Sequence, residues 1–132
     1  MKNILILGCT GSIGTSALNI AREFPDRFNV VGLTAHKSKE RLQELSKEFG
    51  NVPTCLTGVD SEEALERLIN TCGADIVVNG IAGSPGLMPS VFVLRAGIDL
   101  ALANKETIVM AGPLIARLAR EHNCRILPVD SE

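Results

Sequence analysis

Short unbroken apolar runs alternate along the chain with longer segments in which apolar residues return every three or four positions. The first run, Asn3 to Leu7, stops at Gly8 and predicts a buried strand. Ile13, Ala17, Ile20, Ala21 and Phe24 then follow at helical spacing until Pro25-Asp26 breaks the pattern. Val30-Val31-Gly32-Leu33 predicts a second strand, and Leu42, Leu45 and Phe49 mark a second helix closed by Gly50-Asn51. A weaker strand is expected near Thr54 to Thr57. Asp60 and Glu63 have capping-box spacing ahead of Ala64, Leu65, Leu68 and Ile69, and Gly73 ends that helix. Asp75 to Asn79 predicts a fourth strand, Leu87 to Ala96 a helix, and Ile98 to Ala101 a fifth strand. Helical spacing resumes near Lys105, is interrupted at Gly112-Pro113, and continues through Leu114, Ile115, Leu118 and Ala119. Arg125 to Val129 predicts a sixth strand. Strands separated by helices pair in parallel and need cover on both faces. The expected fold is one doubly wound α/β domain built on a parallel sheet of about six strands.

Composition narrows the function classes. Hydrophobic residues make up 45% of the 132 positions but aromatics only 3%, so aliphatic side chains and alanine must fill the core. Lys and Arg number 13 against 15 Asp and Glu, a formal net charge of −2. That leaves neither the basic footprint nor the stacking platforms of a nucleic-acid binder. The apolar content and modest charge exclude intrinsic disorder. No apolar run approaches the roughly 20 residues of a membrane span, and the Ile4 to Leu7 stretch breaks at Gly8 with no cleavage-site pattern behind it. Cys9, Cys55, Cys72 and Cys124 are scattered and form no C-x-x-C, which reads as reduced thiols packed as small residues in a cytoplasmic protein.

The chemistry is marked first by glycines. Gly8-Cys9-Thr10-Gly11-Ser12-Ile13-Gly14 lies between the first strand and the first helix as G-x-x-G-x-x-G, one residue longer in its first step than the common dinucleotide fingerprint. Glycines allow a tight turn and close backbone approach, and the helix N-terminus offers N–H groups to a pyrophosphate. Thr10 and Ser12 add hydroxyls, and no Gly-Lys-Ser/Thr follows to make a Walker loop. Such a turn on its own has a purely conformational explanation; its place between strand and amphipathic helix points to a Rossmann-type dinucleotide site. NAD-binding domains usually hold the ribose 2′-hydroxyl with a carboxylate at the end of the second strand. Here that stretch reads Thr34-Ala35-His36-Lys37-Ser38-Lys39, which suits a 2′-phosphate and hence NADP(H). The plain alternative is that Ser38 caps the second helix and the lysines are solvated, although lysines at a helix N-terminus oppose its dipole.

Three further segments fall at the same edge of the sheet. Gly80-Ile81-Ala82-Gly83-Ser84-Pro85-Gly86 follows the fourth strand, and Ala103-Asn104-Lys105-Glu106 follows the fifth. For the latter, a helix cap with a wet first turn is an equally simple account. The last segment is Pro128-Val129-Asp130-Ser131-Glu132. In extended backbone, residues two apart face one side, so Asp130 and Glu132 can aim both carboxylates at one point, a pairing that suits Mg²⁺ or Mn²⁺. Without further context, acidic residues there would only be solubilising.

Taken together, Gly8-x-Thr10-Gly11-Ser12-Ile13-Gly14, Ala103-Asn104-Lys105-Glu106 and Leu127-Pro128-Val129-Asp130-Ser131-Glu132 closely resemble the N-terminal part of the 1-deoxy-D-xylulose 5-phosphate reductoisomerase family. The resemblance covers essentially the whole chain. It implies the NADPH-binding domain over residues 1–132, with Thr10, Gly11, Ser12 and Ile13 on the pyrophosphate side and His36, Lys37 and Ser38 around the adenosine 2′-phosphate. It further implies that Asn104 and Glu106 contact cofactor, that Lys105, Ser131 and Glu132 contact substrate, and that Asp130 and Glu132 bind a divalent metal, Mg²⁺, Mn²⁺ or Co²⁺. The implied reaction is metal-dependent isomerisation of 1-deoxy-D-xylulose 5-phosphate and its NADPH-dependent reduction to 2-C-methyl-D-erythritol 4-phosphate in non-mevalonate isoprenoid biosynthesis.

Cys9 stands where the family commonly has Ser, and His36 and Ser38 replace residues often seen as Gly and Asn. Family members are much longer, with a connective domain that supplies another metal carboxylate and the substrate phosphate site, then a C-terminal helical domain. The 132-residue chain is therefore expected to be inactive by itself and monomeric, where the full-length family member is a homodimer. Two other readings share the glycine turn: a different NADP-dependent dehydrogenase domain of the semialdehyde or homoserine type, and a non-catalytic dinucleotide-binding module. Neither gives a reason for Asp130-Ser131-Glu132.

Overall fold

The computed structural model describes residues 1–102 and 105–129. Its elements run β1 (Lys2–Leu7), α1 (Ser12–Glu23), β2 (Phe28–Ala35), α2 (Lys39–Glu48), β3 (Thr54–Leu56), α3 (Glu62–Thr71), β4 (Ile76–Asn79), a 3₁₀ turn (Ser84–Gly86), α4 (Leu87–Arg95), β5 (Asp99–Leu102), α5 (Lys105–Glu121) and β6 (Ile126–Pro128). Among the described residues the strands form one six-stranded sheet in the order β3-β2-β1-β4-β5-β6, and every pair in it is parallel. This is the doubly wound order whose direction of winding reverses between β1 and β4.

Alternation along β1 explains why its apolar run is unbroken. Ile4 and Ile6 join Leu18 and Ala21 of α1 and Leu42 and Leu45 of α2 in one core layer. Leu5 and Leu7 join Leu65, Leu68 and Ile69 of α3 with Val93 and Leu94 of α4 in the other. A strand buried on both faces has no polar positions to alternate with. Both edge strands, β3 and β6, are three residues long, and β6 carries Pro128, which an edge strand tolerates.

Three local expectations need correction. The buried side of α1 is Gly14, Leu18 and Ala21, whereas Ile20 and Phe24 are 48% and 41% exposed. The helix is turned so that Gly14 meets the Gly8 turn, a constraint that a count of apolar positions does not register. The capping residue of α3 is Ser61, whose hydroxyl accepts the Ala64 N–H at 3.2 Å. Asp60 cannot take that place because its carboxylate accepts the Leu56 N–H at 2.8 Å and closes the turn after β3. In α5 the backbone leaves helical geometry at Ala111 (φ −124°, ψ 16°), just ahead of the expected Gly112-Pro113 break. Pro113 has no N–H to donate and its ring crowds the preceding turn, so the distortion falls upstream of it.

Candidate cofactor cleft

At the switch point the two glycine turns touch. Gly8 has φ +70°, and a Cβ there would stand 3.1 Å from the Gly80 carbonyl carbon and the Ile81 nitrogen. The Gly80 N–H donates to the Leu7 carbonyl at 2.9 Å, so the turn after β4 is tied to the end of β1. From the other side, the buried Thr34 of β2 receives the Gly8 N–H on its hydroxyl at 3.1 Å and the Cys9 N–H on its carbonyl at 2.8 Å.

Of the three glycines in the first turn, two are required by the fold alone. A Cβ on Gly14 would lie 2.2 Å from the Gly8 carbonyl oxygen and 2.5 Å from Cys9 Cα, which only glycine avoids. Gly11 differs. It is exposed at the N-cap of α1 with φ −82° and ψ −179°, and a Cβ there would find nothing nearer than the Gly8 oxygen at 3.6 Å. The protein itself does not demand glycine at position 11, yet that position faces open space beside a helix N-terminus.

The open space is a cleft of about 600 Å³ along the C-terminal ends of β1 to β4, a size usual for small-molecule sites. Gly8, Thr10 and Gly11 form its floor. His36, Thr57, Asp60 and Ser61 line the side beyond β2 and β3, and Ile81, Pro85, Met88 and Phe92 line the side beyond β4. His36 is the first residue after β2, and its imidazole lies over Gly58, where a Cβ would come within 2.7 Å of the ring and 2.9 Å of the His36 carbonyl oxygen. Glycine at position 58 is thus what allows His36 to lie against the cleft wall.

Thr10, Gly11 and His36 are therefore brought to one cleft. Ser12 and Ile13 open α1 beside it, and a Cβ on Gly80 would be 3.4 Å from Ile13 Cβ. Lys37 and Ser38 are exposed at the start of α2. Ser38 holds the N-cap position of α2, yet its side chain makes no cap hydrogen bond. The plain reading of Ser38 as a helix cap is met in place only, and its hydroxyl is not spent on the helix. Asn104, Asp130, Ser131 and Glu132 lie outside the described residues, as do the side chains of Lys105 and Glu106. The last described residue, Val129, donates its N–H to the Leu102 carbonyl at 3.2 Å, so the chain leaves β6 at the same edge as the cleft. Among the described residues no group of three or more His, Cys, Asp or Glu is placed to hold a metal.

The sequence did not mark the wall built by Thr57, Asp60 and Ser61, nor the buried polar residues under the loops, Thr34, Asn79 and Ser90. The one local signal was Gly58, two residues after a short strand. The cysteines are free thiols, as expected. Burial pushes Cys9 up to about 11, and burial followed by the nearby Asp60 carboxylate pushes Cys55 up to about 11, so neither is a thiolate near neutral pH. Among the described residues no helix is long and apolar enough to cross a membrane.

A family model for 1-deoxy-D-xylulose 5-phosphate reductoisomerase matches residues 4–58 and 55–112. The curated reductoisomerase of Treponema pallidum is 45% identical over 136 residues, covering 100% of this chain and 36% of that protein. That of Treponema denticola is 47% identical over 139 residues, covering 99% and 36%. The chain thus spans little more than a third of the length of these relatives. Among solved structures, DOX-P reductoisomerase in complex with magnesium superposes with a TM-score of 0.89 at 35% identity, over 100% of this chain and 38% of that one. The Zymomonas mobilis enzyme in complex with NADPH gives 0.85 at 31% identity, over 99% and 39%. Homoserine dehydrogenase of S. aureus, at 20% identity and a TM-score of 0.74 over 97% and 32%, shares the fold alone. A family match over residues 4–112 decides between the readings that the glycine turn left open: this chain belongs to the 1-deoxy-D-xylulose 5-phosphate reductoisomerase family.

Proposed function

We propose that this chain binds NADPH across the C-terminal edge of its sheet and is the cofactor platform of a reductoisomerase. The activity of the whole enzyme is then metal-dependent isomerisation of 1-deoxy-D-xylulose 5-phosphate and reduction to 2-C-methyl-D-erythritol 4-phosphate. The observation that carries this reading is Gly11: its missing Cβ leaves a cradle at the N-terminus of α1 that the fold does not need and a pyrophosphate would fill. The Zymomonas mobilis relative, crystallised with NADPH, supports the same choice of ligand.

Thr10, Gly11, Ser12 and Ile13 receive the pyrophosphate: the start of α1 at Ser12 and Ile13 offers backbone N–H groups, Thr10 and Ser12 offer hydroxyls, and Gly11, whose own N–H goes to the Gly8 carbonyl at 3.1 Å, leaves the room. His36, Lys37 and Ser38 surround the adenosine 2′-phosphate, where cation and hydroxyl replace the carboxylate of an NAD site. Asn104 and Glu106 contact cofactor and Lys105 contacts the sugar phosphate. NADPH, when bound, supplies the hydride, and the protein's part is to fix its position and exclude water around it. Asp130 and Glu132 follow β6 with hard oxygen donors that suit Mg²⁺, Mn²⁺ or Co²⁺, and magnesium is present in a solved relative. Ser131 and Glu132 also meet substrate. The reading includes a cytoplasmic enzyme, dimeric at full length, with a phosphorylated sugar as its small-molecule partner.

Titration of the chain with NADPH and with NADH, followed by cofactor fluorescence, tests the proposal. Tighter binding of NADPH is expected. Preference for NADH would remove the 2′-phosphate assignment of His36, Lys37 and Ser38.

A further inference from the structure

Among the described residues the buried polar side chains are Thr34, Asn79 and Ser90, each with no exposed surface. All three lie beneath the cleft, and each is bonded to the backbone of a loop that forms it. Thr34 holds the Gly8 N–H. Asn79 ends β4 and spans the loop that follows: its Oδ1 accepts the Ile81 N–H at 3.1 Å, and its Nδ2 donates to the Gly86 carbonyl at 2.9 Å. The same Nδ2 lies 2.8 Å from the Ser90 Oγ, and the Ser90 hydroxyl donates to the Gly86 carbonyl at 3.1 Å. One amide therefore fixes both ends of residues 81–86, and a hydroxyl one turn into α4 fixes the far end again.

The core between the sheet and its helices has no general use for these groups. Leucine or valine would fill the same space with nothing to satisfy, whereas a buried amide is costly unless every bond is made. The bonds made here go to the backbone of the loop that carries Ile81 and Pro85 to the cleft. Gly83, with φ +74°, and Pro85 in the first turn of the 3₁₀ segment give that loop a fixed course between the two anchors.

We propose that Asn79 and Ser90 are positioning residues for the cofactor: without touching it, they hold the Gly80–Gly86 loop in its binding shape, as Thr34 does for the opposite turn. The inference rests on the NADPH reading above, and the test separates the two.

NADPH affinity and amide hydrogen exchange are measured on the chain and on Asn79→Asp, Ser90→Ala and Ser90→Thr, at a temperature where circular dichroism shows each to be folded. Asn79→Asp keeps the acceptor for Ile81 but loses both donations. It should weaken NADPH at least tenfold, since two buried donations are lost, and raise exchange in residues 80–86 while β1 and β4 stay protected. Ser90→Ala should weaken binding about threefold, and Ser90→Thr, which keeps the hydroxyl, should bind as the parent does. A purely structural role would move the melting temperature of both Ser90 variants without this split in affinity. If Asn79→Asp does not fold, the Ser90 pair decides alone. Variants that bind NADPH as tightly as the parent, with or without faster loop exchange, overturn the inference and leave the cofactor reading intact. A parent chain that takes up no NADPH overturns that reading, and the positioning role falls with it.

Discussion

The glycines of the first turn divide by what needs them, and that division is testable residue by residue. Gly14→Ala places a methyl 2.2 Å from the Gly8 carbonyl oxygen, so the helix must move away from the turn. A loss of about 3 kcal/mol in denaturant unfolding is expected, with cofactor binding lost alongside. Gly11→Ala meets nothing closer than 3.6 Å. It should leave stability within about 0.5 kcal/mol of the parent and still weaken NADPH about tenfold, because the methyl occupies the phosphate cradle. Lys37→Ala should weaken NADPH about tenfold and NADH hardly at all, since only the former carries the 2′-phosphate; equal losses would return Lys37 to the solvated surface. The glycine spacing and the basic stretch after β2 were plain in the sequence because they depart from the apolar pattern around them. Thr34 and Asn79 were not: Thr34 bonds Gly8, which only the fold brings near, and Asn79 bonds the two ends of a loop whose course the apolar pattern does not register.

At the scale of elements, periodicity located the helices and strands but not always the faces they bury. In α1 the true face, Gly14-Leu18-Ala21, runs through a glycine, while the more apolar Ile20 and Phe24 remain in solvent. The cap of α3 shifted from Asp60 to Ser61 because a carboxylate near a turn has competing backbone donors. Between α1 and α2 stands an ion pair that no local pattern announces: Arg22 meets Glu48 in a two-pronged contact, its Nη2 2.7 Å from Oε1, and its guanidinium lies 5.6 Å from the centre of the Phe49 ring. The hydrogen bond from Arg22 holds the Glu48 carboxyl below the usual glutamate value. A carboxyl depressed in the folded state adds stability above its unfolded pKa and loses it as pH falls through the folded value. With the side chains 35% and 41% exposed, the contribution is about 0.5 kcal/mol. Glu48→Gln should therefore lower stability by that amount at neutral pH and by nothing once the pH is well below the carboxylate range, as read from paired urea melts.

At the scale of the molecule, the alternation of strand and helix was enough to read a doubly wound sheet, and the order β3-β2-β1-β4-β5-β6 puts its switch point under the glycine turn. The cleft itself was only half legible. Its floor is a local motif, but its wall at Thr57, Asp60 and Ser61 exists because β3 pairs beside β2 and carries the following loop back over His36. The chain matches 36% of the length of a curated relative, and in the proposed role Asp130 and Glu132 would offer a metal two carboxylates, which would leave the ion mostly hydrated. We expect weak Mg²⁺ affinity and no turnover of 1-deoxy-D-xylulose 5-phosphate by these 132 residues alone; NADPH consumption above background in a coupled assay would contradict this.

The proposed seat of NADPH is between the Gly8–Gly14 turn and the Gly80–Gly86 loop, with its 2′-phosphate at the end of β2. Amide chemical-shift mapping of the labelled chain during NADPH titration reads that seat residue by residue. Saturable shifts at Thr10, Gly11, Ser12, Ile81 and the Lys37-Ser38 pair, the last two absent with NADH, are the predicted result. Shifts scattered over the helical faces, or the same pattern for both nucleotides, would contradict it.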